Sequence, residues 1–577
     1  MSPKSLNVVH PVPRALDALR KDIDWIDDQI LDLLEQRYAV VKRVAWAKTE
    51  EAEQALAVRP TRETDVLERL SARAIHVPAG DVAQIWRAIL SLSAHHQRAY
   101  NVIVSGPPSA RLALMQLAST RYGENIAVVW SEQRHEAVAA ASRGEAVLMI
   151  PAEEWESAAT WNLDLIGQHA TGCVDHPWAL ELGRLGRDEQ RSGNWTSTSW
   201  RHKVHQQLPA YADRRLAEQT QQQLAAADGI VTPVEIASLQ VLVADAQRGQ
   251  RMVIQAGDCA ERMDADQADV EAMASLVHRL GKRFERSTGL PAIRLGRLGG
   301  QYAKPRSQSA EGQGESRLAV YRGDAVNGPA ACPVRRSADP RRLLGAHAQA
   351  QRVQGWLRTG AEPQLHLSHE ALLLPYEAAL TRTVGGLAWA TSAHSLWLGE
   401  RTRDPEGAHV EYLRGIANPI GIKCGPKITP EQLAMLLERL DPQRTPGRIM
   451  LVARLGCDLV EQRLPLLMAA VRDTGREVLW LCDPMHGNNR TANGTKVRLV
   501  PEIVAEAEAF ARVARSERVH AGGLHLEVTP RRVLECVDRI EEAAADRPYE
   551  SLCDPRLNAE QAVRVIDAFS NELESGS

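Results

Sequence analysis

The first hundred residues carry the apolar periodicity of three helices. From Leu16 to Lys48, apolar residues recur at three- and four-residue steps without Gly or Pro, which predicts one long amphipathic helix. A second helix is predicted to begin near Thr61, directly after Pro60, and a third to run from Asp81 to Gln97. Because the first helix is too long for the other two to cover, the pattern predicts an all-α module that dimerises.

After Tyr100 the pattern changes to short apolar runs separated by helical stretches, which predicts a small α/β segment over residues 100–190. The apolar runs are Val102 to Val104, Ala127 to Trp130 and Ala146 to Ile150. From Arg191 to Lys203 the composition turns polar, and this indicates a linker.

The remaining chain, residues 191–577, alternates helical stretches with apolar strand-like segments. This alternation predicts a parallel sheet closed into a (β/α)8 barrel. A doubly wound open sheet is the alternative, and it is disfavoured because no Gly-x-Gly-x-x-Gly motif follows the first strand. The predicted strands are Met252 to Ala256, Ala292 to Leu295, Leu387 to Ala390, Gly421 to Lys423, Ile449 to Ala453, Val478 to Cys482 and Leu524 to Val528.

The composition narrows the classes of function. Of 577 residues, 44% are apolar and 25% are charged, with 69 Lys+Arg against 73 Asp+Glu, so neither disorder nor a strongly charged nucleic-acid or membrane surface is indicated. No apolar stretch of about 18 residues or secretory signal is evident, which predicts a cytoplasmic protein. The eight scattered cysteines suggest buried thiols or metal ligands.

Two cations interrupt the apolar stripe of the first helix. Arg37 and Lys48 fall in the middle of that stripe, while Ser93 and Gln97 fall in the stripe of the third helix, one turn apart. The long side chains could reach solvent from such positions. Burying two unpaired cations is costly, however, so the pattern favours a polar pocket that holds an anionic ligand or carboxylate partners.

These residues resemble the AroQ-class chorismate mutases over residues 14–100. The family pattern is present as Arg20, Arg37, Lys48, Arg62, Glu63, Ser93 and Gln97. The resemblance implies an intertwined helical dimer that rearranges chorismate to prephenate without a metal. Arg20, reaching into the partner's pocket, and Arg37 would hold carboxylates, Lys48 and Gln97 would donate to the ether oxygen, and Glu63 would accept from the ring hydroxyl. Arg59 departs from the pattern, since the family often has Asp there.

Polar residues with metal-binding and phosphate-binding chemistry follow the strands of the carboxyl-terminal region. Cys259, His486, Glu527 and Asp554 offer a thiolate, an imidazole and two carboxylates, a mixed set suited to manganese, cobalt or zinc. Alone, a cysteine such as Cys259 is most often a small buried hydrophobe. The cations near strand ends predict phosphate-bearing substrates rather than a solvated surface; they are Arg297, Lys304, Arg306, Arg401, Lys423 and Arg454.

Residues 198–575 resemble the type II 3-deoxy-D-arabino-heptulosonate 7-phosphate (DAHP) synthases. The motifs that carry the resemblance include Gly296–Ser307, Tyr321–Asp324, Ser368–Leu374, Trp397–Arg403, Asn418–Gly421, Cys482–Asn488 and Cys553–Asn558. The family condenses phosphoenolpyruvate with erythrose 4-phosphate in a metal-dependent barrel. The resemblance implies Cys259, His486, Glu527 and Asp554 as metal ligands, and Arg403 and Asn418 near the second phosphate. It implies substrate contacts at Arg297, Lys304, Trp397, Glu400, Arg401, Lys423 and Arg454.

The segment between the two modules has a fainter resemblance, to the first lobe of prephenate dehydratases. Gly106–Ser109, Met149–Glu154 and Asn162–Ile166 carry it. The family's Thr-Arg-Phe motif and second lobe are missing, so we expect a noncatalytic remnant or regulatory lobe, with a plain spacer as the alternative.

The sequence thus predicts a bifunctional shikimate-pathway enzyme with three regions, 1–99, 100–190 and 191–577. We expect small-molecule substrates (chorismate, phosphoenolpyruvate and erythrose 4-phosphate), a homo-oligomer of at least two chains, and no nucleic acid or membrane partner. Two alternatives stay open. One is an amino-sugar variant of the synthase from secondary metabolism, and the other is a module kept as a noncatalytic sensor.

Overall fold

The computed structural model describes most of the chain, with gaps in the amino-terminal and middle regions. The described residues are 16–46, 56, 58, 60–123, 126–154, 161, 163–171, 173, 176, 178–184, 195–311, 317–360, 365–385, 387–543 and 546–574. All structural statements below refer to these residues.

Three helices form the amino-terminal module, as predicted. Helix α1 spans Leu16–Trp46, α2 spans Pro60–Arg73 and α3 spans Ala79–Gln97. Helix α3 packs against both α1 and α2. The predicted end of the first helix at Lys48 lies outside the described residues.

The middle segment forms a five-stranded sheet in the order β2-β1-β3-β5-β4. Strands β1, β2 and β3 are parallel, while β5 runs antiparallel to β3 and β4. The three apolar runs predicted as strands are β1 to β3. The elements of this segment are β1 Asn101–Val104, α4 Arg111–Tyr122, β2 Val128–Trp130, α5 Arg134–Ser142, β3 Ala146–Pro151, β4 Asp164–Ala170 and β5 Trp178–Gly183.

The predicted linker is packed where the structure describes it. Residues 199–202 form a 3-10 helix in which Trp200 is buried. The indole Nε1 of Trp195 donates to the carbonyl oxygen of Glu411 at 3.0 Å, so this tryptophan is anchored to the barrel. The interpretation of residues 195–203 as a linker is therefore wrong, because two tryptophans give this polar stretch its own apolar contacts.

The carboxyl-terminal region contains a closed barrel of eight parallel strands, as predicted, in the order β10-β13-β14-β15-β16-β19-β6-β7. The closure rules out the open doubly wound sheet. The barrel strands are β6 Met252–Gly257, β7 Ala292–Arg297, β10 His366–Glu370, β13 Ser395–Leu398, β14 Ile420–Cys424, β15 Ile449–Ala453, β16 Leu479–Cys482 and β19 Ala521–Glu527.

Helices precede and follow these strands. Two of them begin with capping boxes, at Thr232 with Glu235 and at Thr429 with Gln432, each followed by a proline in the first turn. The helices are α6 Arg214–Ala226, α7 Pro233–Gln247, α8 Gln267–Thr288, α9 Pro333–Arg336, α10 Arg342–Thr359, α11 Leu374–Ala379, α12 Ala408–Leu413, α13 Pro430–Leu440, α14 Val460–Asp473, α15 Val500–Ser516 and α16 Ala559–Glu574.

One predicted barrel strand is wrong. Leu387–Ala390 is β12, which pairs antiparallel with β11 (Thr381–Val384) in a hairpin outside the barrel. Its place is taken by β10 and β13, which the apolar pattern missed. The other short strands are β8 Ala310–Glu311, β9 Leu318–Ala319, β17 Arg490–Ala492, β18 Thr495–Leu499 and β20 Cys536–Val537. Within the described part of the chain, none of the helices combines the length and apolar character that a membrane span needs.

Candidate functional site

A cavity of about 350 Å³ lies at the carboxyl ends of the barrel strands. Parallel barrels place the side chains that follow their strands at this end, so residues distant in sequence meet there. All seven side chains predicted to contact substrate line the cavity: Arg297, Lys304, Trp397, Glu400, Arg401, Lys423 and Arg454. The structure therefore brings together side chains from the ends of four separate barrel strands, β7, β13, β14 and β15.

Three of the four predicted metal ligands converge beside this cavity. His486, Glu527 and Asp554 each offer a ligand atom, and these atoms all lie within 4.8 Å of one another. His486 Nε2 is 3.0 Å from Glu527 Oε1, and His486 Nδ1 is 2.7 Å from Asp483 Oδ2. A carboxylate on the far nitrogen fixes the orientation of a ligating imidazole. One imidazole and two carboxylates fit a divalent metal of the predicted class.

Cys259, the fourth predicted ligand, is buried but is not part of that group of three. Its Sγ lies 3.1 Å from Ser551 Oγ. A hydrogen bond with Cys553, together with burial, raises the pKa of the Cys259 thiol well above its usual range. Cys259 as a ligand remains a prediction, since a thiol must lose its proton to bind a metal.

The cations around the cavity fall into two classes. Lys304 Nζ lies 3.0 Å from Glu527 Oε1 and 3.1 Å from Asp554 Oδ2, and Arg297 Nη2 lies 3.0 Å from Glu527 Oε1. Lys423 Nζ lies 2.6 Å from Asp483 Oδ2. These three buried cations are balanced by the protein's own carboxylates, as burial requires.

Arg306, Arg401 and Arg454 form the second class, because none of them has a carboxylate partner among the described residues. The contact of Arg454 is with a backbone oxygen, since Nη2 donates to the carbonyl of His486 at 2.9 Å. Arg401 Nη2 donates to Ser307 Oγ at 2.8 Å. Guanidinium groups with spare donors facing a cavity are well suited to bind a phosphate or carboxylate from outside the protein.

Trp397 connects two of the paired cations. The Arg297 guanidinium lies 5.2 Å, and the Lys423 ammonium 5.8 Å, from the ring centroid of Trp397. Burial lowers the pKa of Lys423 to about 8, against the attraction of Asp483. Burial opposes ionisation of Asp483, yet the neighbouring His486 and Lys423 hold its pKa well below the usual range. These contacts fix the ammonium against the cavity wall.

Two residues predicted near the second phosphate do not line the cavity. The Asn418 amide is fully buried, and it exchanges hydrogen bonds with the backbone of Ala390. Arg403 Nη2 donates to Glu400 Oε1 at 2.7 Å. The Asn418 amide is consumed in holding β12 against the barrel, and the placement of the Arg403 and Asn418 region near the second phosphate stays a prediction.

Three buried glutamates that the sequence reasoning missed hold the loops of this site. Glu261 accepts hydrogen bonds from the backbone amides of Gly299, Gly300 and Gln301 at 2.7 to 2.9 Å. These three amides belong to the loop between Arg297 and Lys304. Glu506 accepts from the amides of residues 455 and 456, directly after Arg454, at 2.8 Å, and from Asn488 Nδ2 at 2.7 Å. Glu535 accepts from the amides of residues 550, 551 and 556, around Asp554.

Glu370 is a further cavity-lining residue that was not predicted as a site residue. Its Oε1 is buried without a hydrogen-bond partner among the described residues. Burial raises the pKa of Glu370, although Lys304 and Lys423 act in the opposite direction. The position of Glu370 within the Ser368–Leu374 motif is the sequence feature that could have identified this residue.

Replacing Glu261 by Gln tests whether this carboxylate positions the loop between Arg297 and Lys304. An amide cannot accept from three amides without turning its own NH2 toward one of them, so we expect the unfolding free energy to fall by about 2 kcal/mol. Misplacement of the loop is expected to lower the kcat/KM of the reaction in this cavity about tenfold. Denaturant unfolding and steady-state kinetics measure the two effects. Glu271→Gln, an exposed glutamate on α8, is the matched control, and equal behaviour of the two variants would contradict the role.

The amino-terminal module brings part of its predicted site together. Arg37 Nη1 donates to Ser93 Oγ, and Gln97 Nε2 donates to the Ser93 carbonyl at 3.3 Å. Burial lowers the pKa of Arg37. Arg20 and Arg62 are exposed, and Lys48 lies outside the described residues. One chain therefore assembles one cation and two polar residues of the predicted pocket.

The predicted apolar stripe of α1 is largely uncovered. Among the described residues, Ile23 is 57% exposed and Leu33 is 63% exposed. Further apolar side chains with at least a third of their surface exposed are Leu19, Ile26, Ile30, Leu34 and Val44. An apolar face of this length is typical of a protein interface.

Glu63 faces the middle segment. Its Oε2 lies 3.9 Å from Arg121 Nη2, and Arg121 Nε donates to the fully buried Glu181 Oε2 at 2.8 Å. Tyr122 and His169 also contact the Glu181 carboxylate. A polar cluster around Glu181 thus joins helix α2 to the five-stranded sheet.

Comparison with known proteins finds a matching family for each end of the chain. The Class-II DAHP synthetase family matches residues 195–365 and 357–570, and Chorismate mutase type II matches residues 19–98. A probable phospho-2-dehydro-3-deoxyheptonate aldolase of Pseudomonas fluorescens is 42% identical over 375 residues, which cover 63% of this chain and 94% of that protein. A phospho-2-dehydro-3-deoxyheptonate aldolase of Streptomyces coelicolor is 34% identical over 424 residues, with 63% and 94% covered.

Among solved structures, a truncated form of 3-deoxy-D-arabino-heptulosonate 7-phosphate synthase from Thermotoga maritima is similar at a TM-score of 0.29 and 15% identity. The similarity covers 56% of this chain and 88% of that one. A score this low adds nothing to the barrel closure observed directly.

Proposed function

The chain belongs to the class-II DAHP synthetase family and carries a type II chorismate mutase region at its amino end, and from that premise we propose that it catalyses two shikimate-pathway reactions. One joins phosphoenolpyruvate, erythrose 4-phosphate and water to give DAHP and phosphate. The other rearranges chorismate to prephenate. The regions 191–577 and 1–99 would carry them respectively, with 100–190 between. The observation that carries the synthase assignment is the convergence of seven predicted substrate contacts with His486, Glu527 and Asp554.

Substrate binding in the barrel follows from the two classes of cation. Arg401 and Arg454 would bind the phosphate or carboxylate of phosphoenolpyruvate, because their donors are not consumed by protein carboxylates. Arg306, on the same cavity wall, suits the phosphate of erythrose 4-phosphate. Arg297 and Lys423, held against Trp397, would stabilise negative charge between the two anions.

The residues that would hold a divalent metal are His486, Glu527 and Asp554, with Cys259 as the predicted fourth ligand. When bound there, manganese, cobalt or zinc supplies Lewis acidity toward the aldehyde of erythrose 4-phosphate. The methylene carbon of phosphoenolpyruvate forms the new bond to the aldehyde carbon, water adds to the adjacent cationic centre, and phosphate leaves. Lys304 keeps its proton, because Glu527 and Asp554 raise its pKa despite burial, and its Nζ would stabilise the developing alkoxide.

The mutase reaction needs no nucleophile, only a compact dicarboxylate conformer and stabilisation of charge on the ether oxygen. Arg37 supports this function, because its half-buried guanidinium already contacts Ser93 beside Gln97. The exposed apolar face of α1 supports a dimer in which Arg20 of a second copy completes the pocket. Lys48 and Glu63 would supply contacts to the ether oxygen and ring hydroxyl.

Metal removal separates the two proposed reactions. Treatment of the full chain with a chelator is expected to lower DAHP formation at least about 100-fold, because Lewis acidity is lost, while prephenate formation stays unchanged. Added Mn²⁺ should restore DAHP formation. Product assays with erythrose 4-phosphate, and with its amino analogue as the competing substrate, measure the outcome. Full DAHP activity in metal-free protein, or faster turnover of the amino analogue, would contradict the proposal.

A further inference from the structure

The five-stranded sheet of the middle segment has a topological switch point. From β1 the chain passes through α4 to β2 on one side, and then through α5 to β3 on the other side of β1. The carboxyl ends of β1 and β3 therefore lie side by side at one edge of the sheet. In open α/β sheets, ligands bind at the carboxyl end of such a switch point.

Three side chains with complementary chemistry meet at this edge. Ser109 lies in the 3-10 turn after β1, and Glu153 lies in the 3-10 turn after β3. His176 comes from the loop that joins β4 to β5, whose chain re-enters the sheet beside the end of β3. Ser109 Oγ is 2.9 Å from His176 Nε2, and His176 Nδ1 is 3.6 Å from Glu153 Oε2.

A purely structural role does not account for this arrangement. The Ser109 hydroxyl caps no helix, since the residue before α4 is Ala110, and its one described hydrogen bond is to His176. Ser109 is exposed, so a substrate can reach it. His176 Nδ1 is buried and has no hydrogen-bond partner among the described residues, which leaves Glu153 as the group that faces it.

The geometry points to a third active site, in which Ser109 is the nucleophile, His176 the general base and Glu153 the group that orients the imidazole. A serine bonded to one imidazole nitrogen, with a carboxylate facing the other, is the arrangement that activates a hydroxyl for acyl transfer. The substrate class is a small carboxylic ester. This site is independent of the two reactions above, and it is an alternative to the expectation that the middle segment is noncatalytic.

The reaction is a redox-neutral hydrolysis. Ser109 Oγ bonds to the ester carbonyl carbon and its proton passes to His176 Nε2. The alkoxide then leaves and takes that proton, so that an acyl-serine remains. Water adds to the acyl carbon and gives a proton to His176, which returns it to Ser109 Oγ as the carboxylic acid is released. The amino end of α4 favours the negative charge on the tetrahedral oxygen.

Active-site labelling of the full chain tests this inference. We expect a fluorophosphonate probe to add once per chain, and mass spectrometry to locate the adduct on Ser109. Hydrolysis of p-nitrophenyl acetate above background should fall at least about 100-fold in Ser109→Ala and in His176→Gln, and about tenfold in Glu153→Gln.

Ser119→Ala, which removes an exposed serine of α4, is the matched control and should keep full labelling and hydrolysis. DAHP synthase activity and thermal unfolding of each variant report on the fold. Labelling at another residue, or esterase activity that survives in Ser109→Ala, overturns the inference. Mass spectrometry locates the fluorophosphonate adduct on the wild-type protein, so this result does not require any variant to fold.

Discussion

Replacing Arg454 by Gln is expected to lower synthase kcat/KM for phosphoenolpyruvate about 1,000-fold while prephenate formation stays unchanged. Arg454 faces the barrel cavity, and its described contact is with a backbone carbonyl rather than a carboxylate. Two lost charge-assisted hydrogen bonds to a substrate anion amount to about 4 kcal/mol, which is a factor of about 1,000 in rate. Steady-state kinetics with each substrate varied in turn measure the loss.

The matched control is Arg463→Gln. Arg463 also donates to one backbone carbonyl, that of Ile428 at 2.7 Å, and its Nε also lacks a partner among the described residues. It lies on α14 and does not line the cavity. Equal losses in the two variants would mean that Arg454 acts through stability, and an unchanged kcat/KM in Arg454→Gln would remove it from the substrate site.

The apolar pattern located six of the eight barrel strands, and the miss at β10 has a physical cause. Strand β10 reads His-Leu-Ser-His-Glu, so four of its five residues are polar. One of these polar residues, Ser368, is paired inside the barrel, where Gln255 Nε2 donates to Ser368 Oγ at 3.0 Å and Ser368 Oγ donates to the Gly296 carbonyl. Such pairing between strands distant in sequence cannot be read from a local pattern.

The cations of the synthase site could be predicted, but their electrostatic roles could not. Arg297 and Arg454 both follow barrel strands in the sequence, yet one is paired with Glu527 and the other with no described carboxylate. Whether a cation is paired depends on which carboxylates the fold brings close to it. For the same reason Glu261 and Glu535 escaped notice, since a glutamate that accepts backbone amides is indistinguishable in sequence from an exposed one.

In the amino-terminal module, the sequence pattern predicts contacts that a single chain does not form. The periodicity of α1 predicts a stripe that needs a partner, and the structure of the single chain leaves Ile23 and Leu33 more than half exposed. Arg37 meets Ser93 within the chain, whereas Arg20 is exposed on the same helix. The pocket that we propose to be shared between two copies would account for both observations.

Replacing Arg37 by Ala is expected to lower mutase kcat/KM about 1,000-fold, because a carboxylate of chorismate loses two charge-assisted hydrogen bonds. DAHP formation should stay unchanged. Arg43→Ala removes an exposed arginine from the last turn of the same helix and should behave as the wild type. A comparable loss in Arg43→Ala would assign the effect to the helix rather than to the pocket.

Mixing two inactive variants tests whether Arg20 crosses the dimer. If Arg20 of one copy serves the pocket of the other, an Arg20→Ala/Arg37→Ala heterodimer has one doubly defective and one intact pocket. Random assembly of equal amounts makes about half of the dimers mixed, so about a quarter of wild-type mutase activity should return. Co-refolded variants, assayed for prephenate against each variant refolded alone, give the measurement. Activity no higher than that of the single variants would mean that each pocket draws Arg20 and Arg37 from one chain, and the exposed face of α1 would then lack a catalytic role.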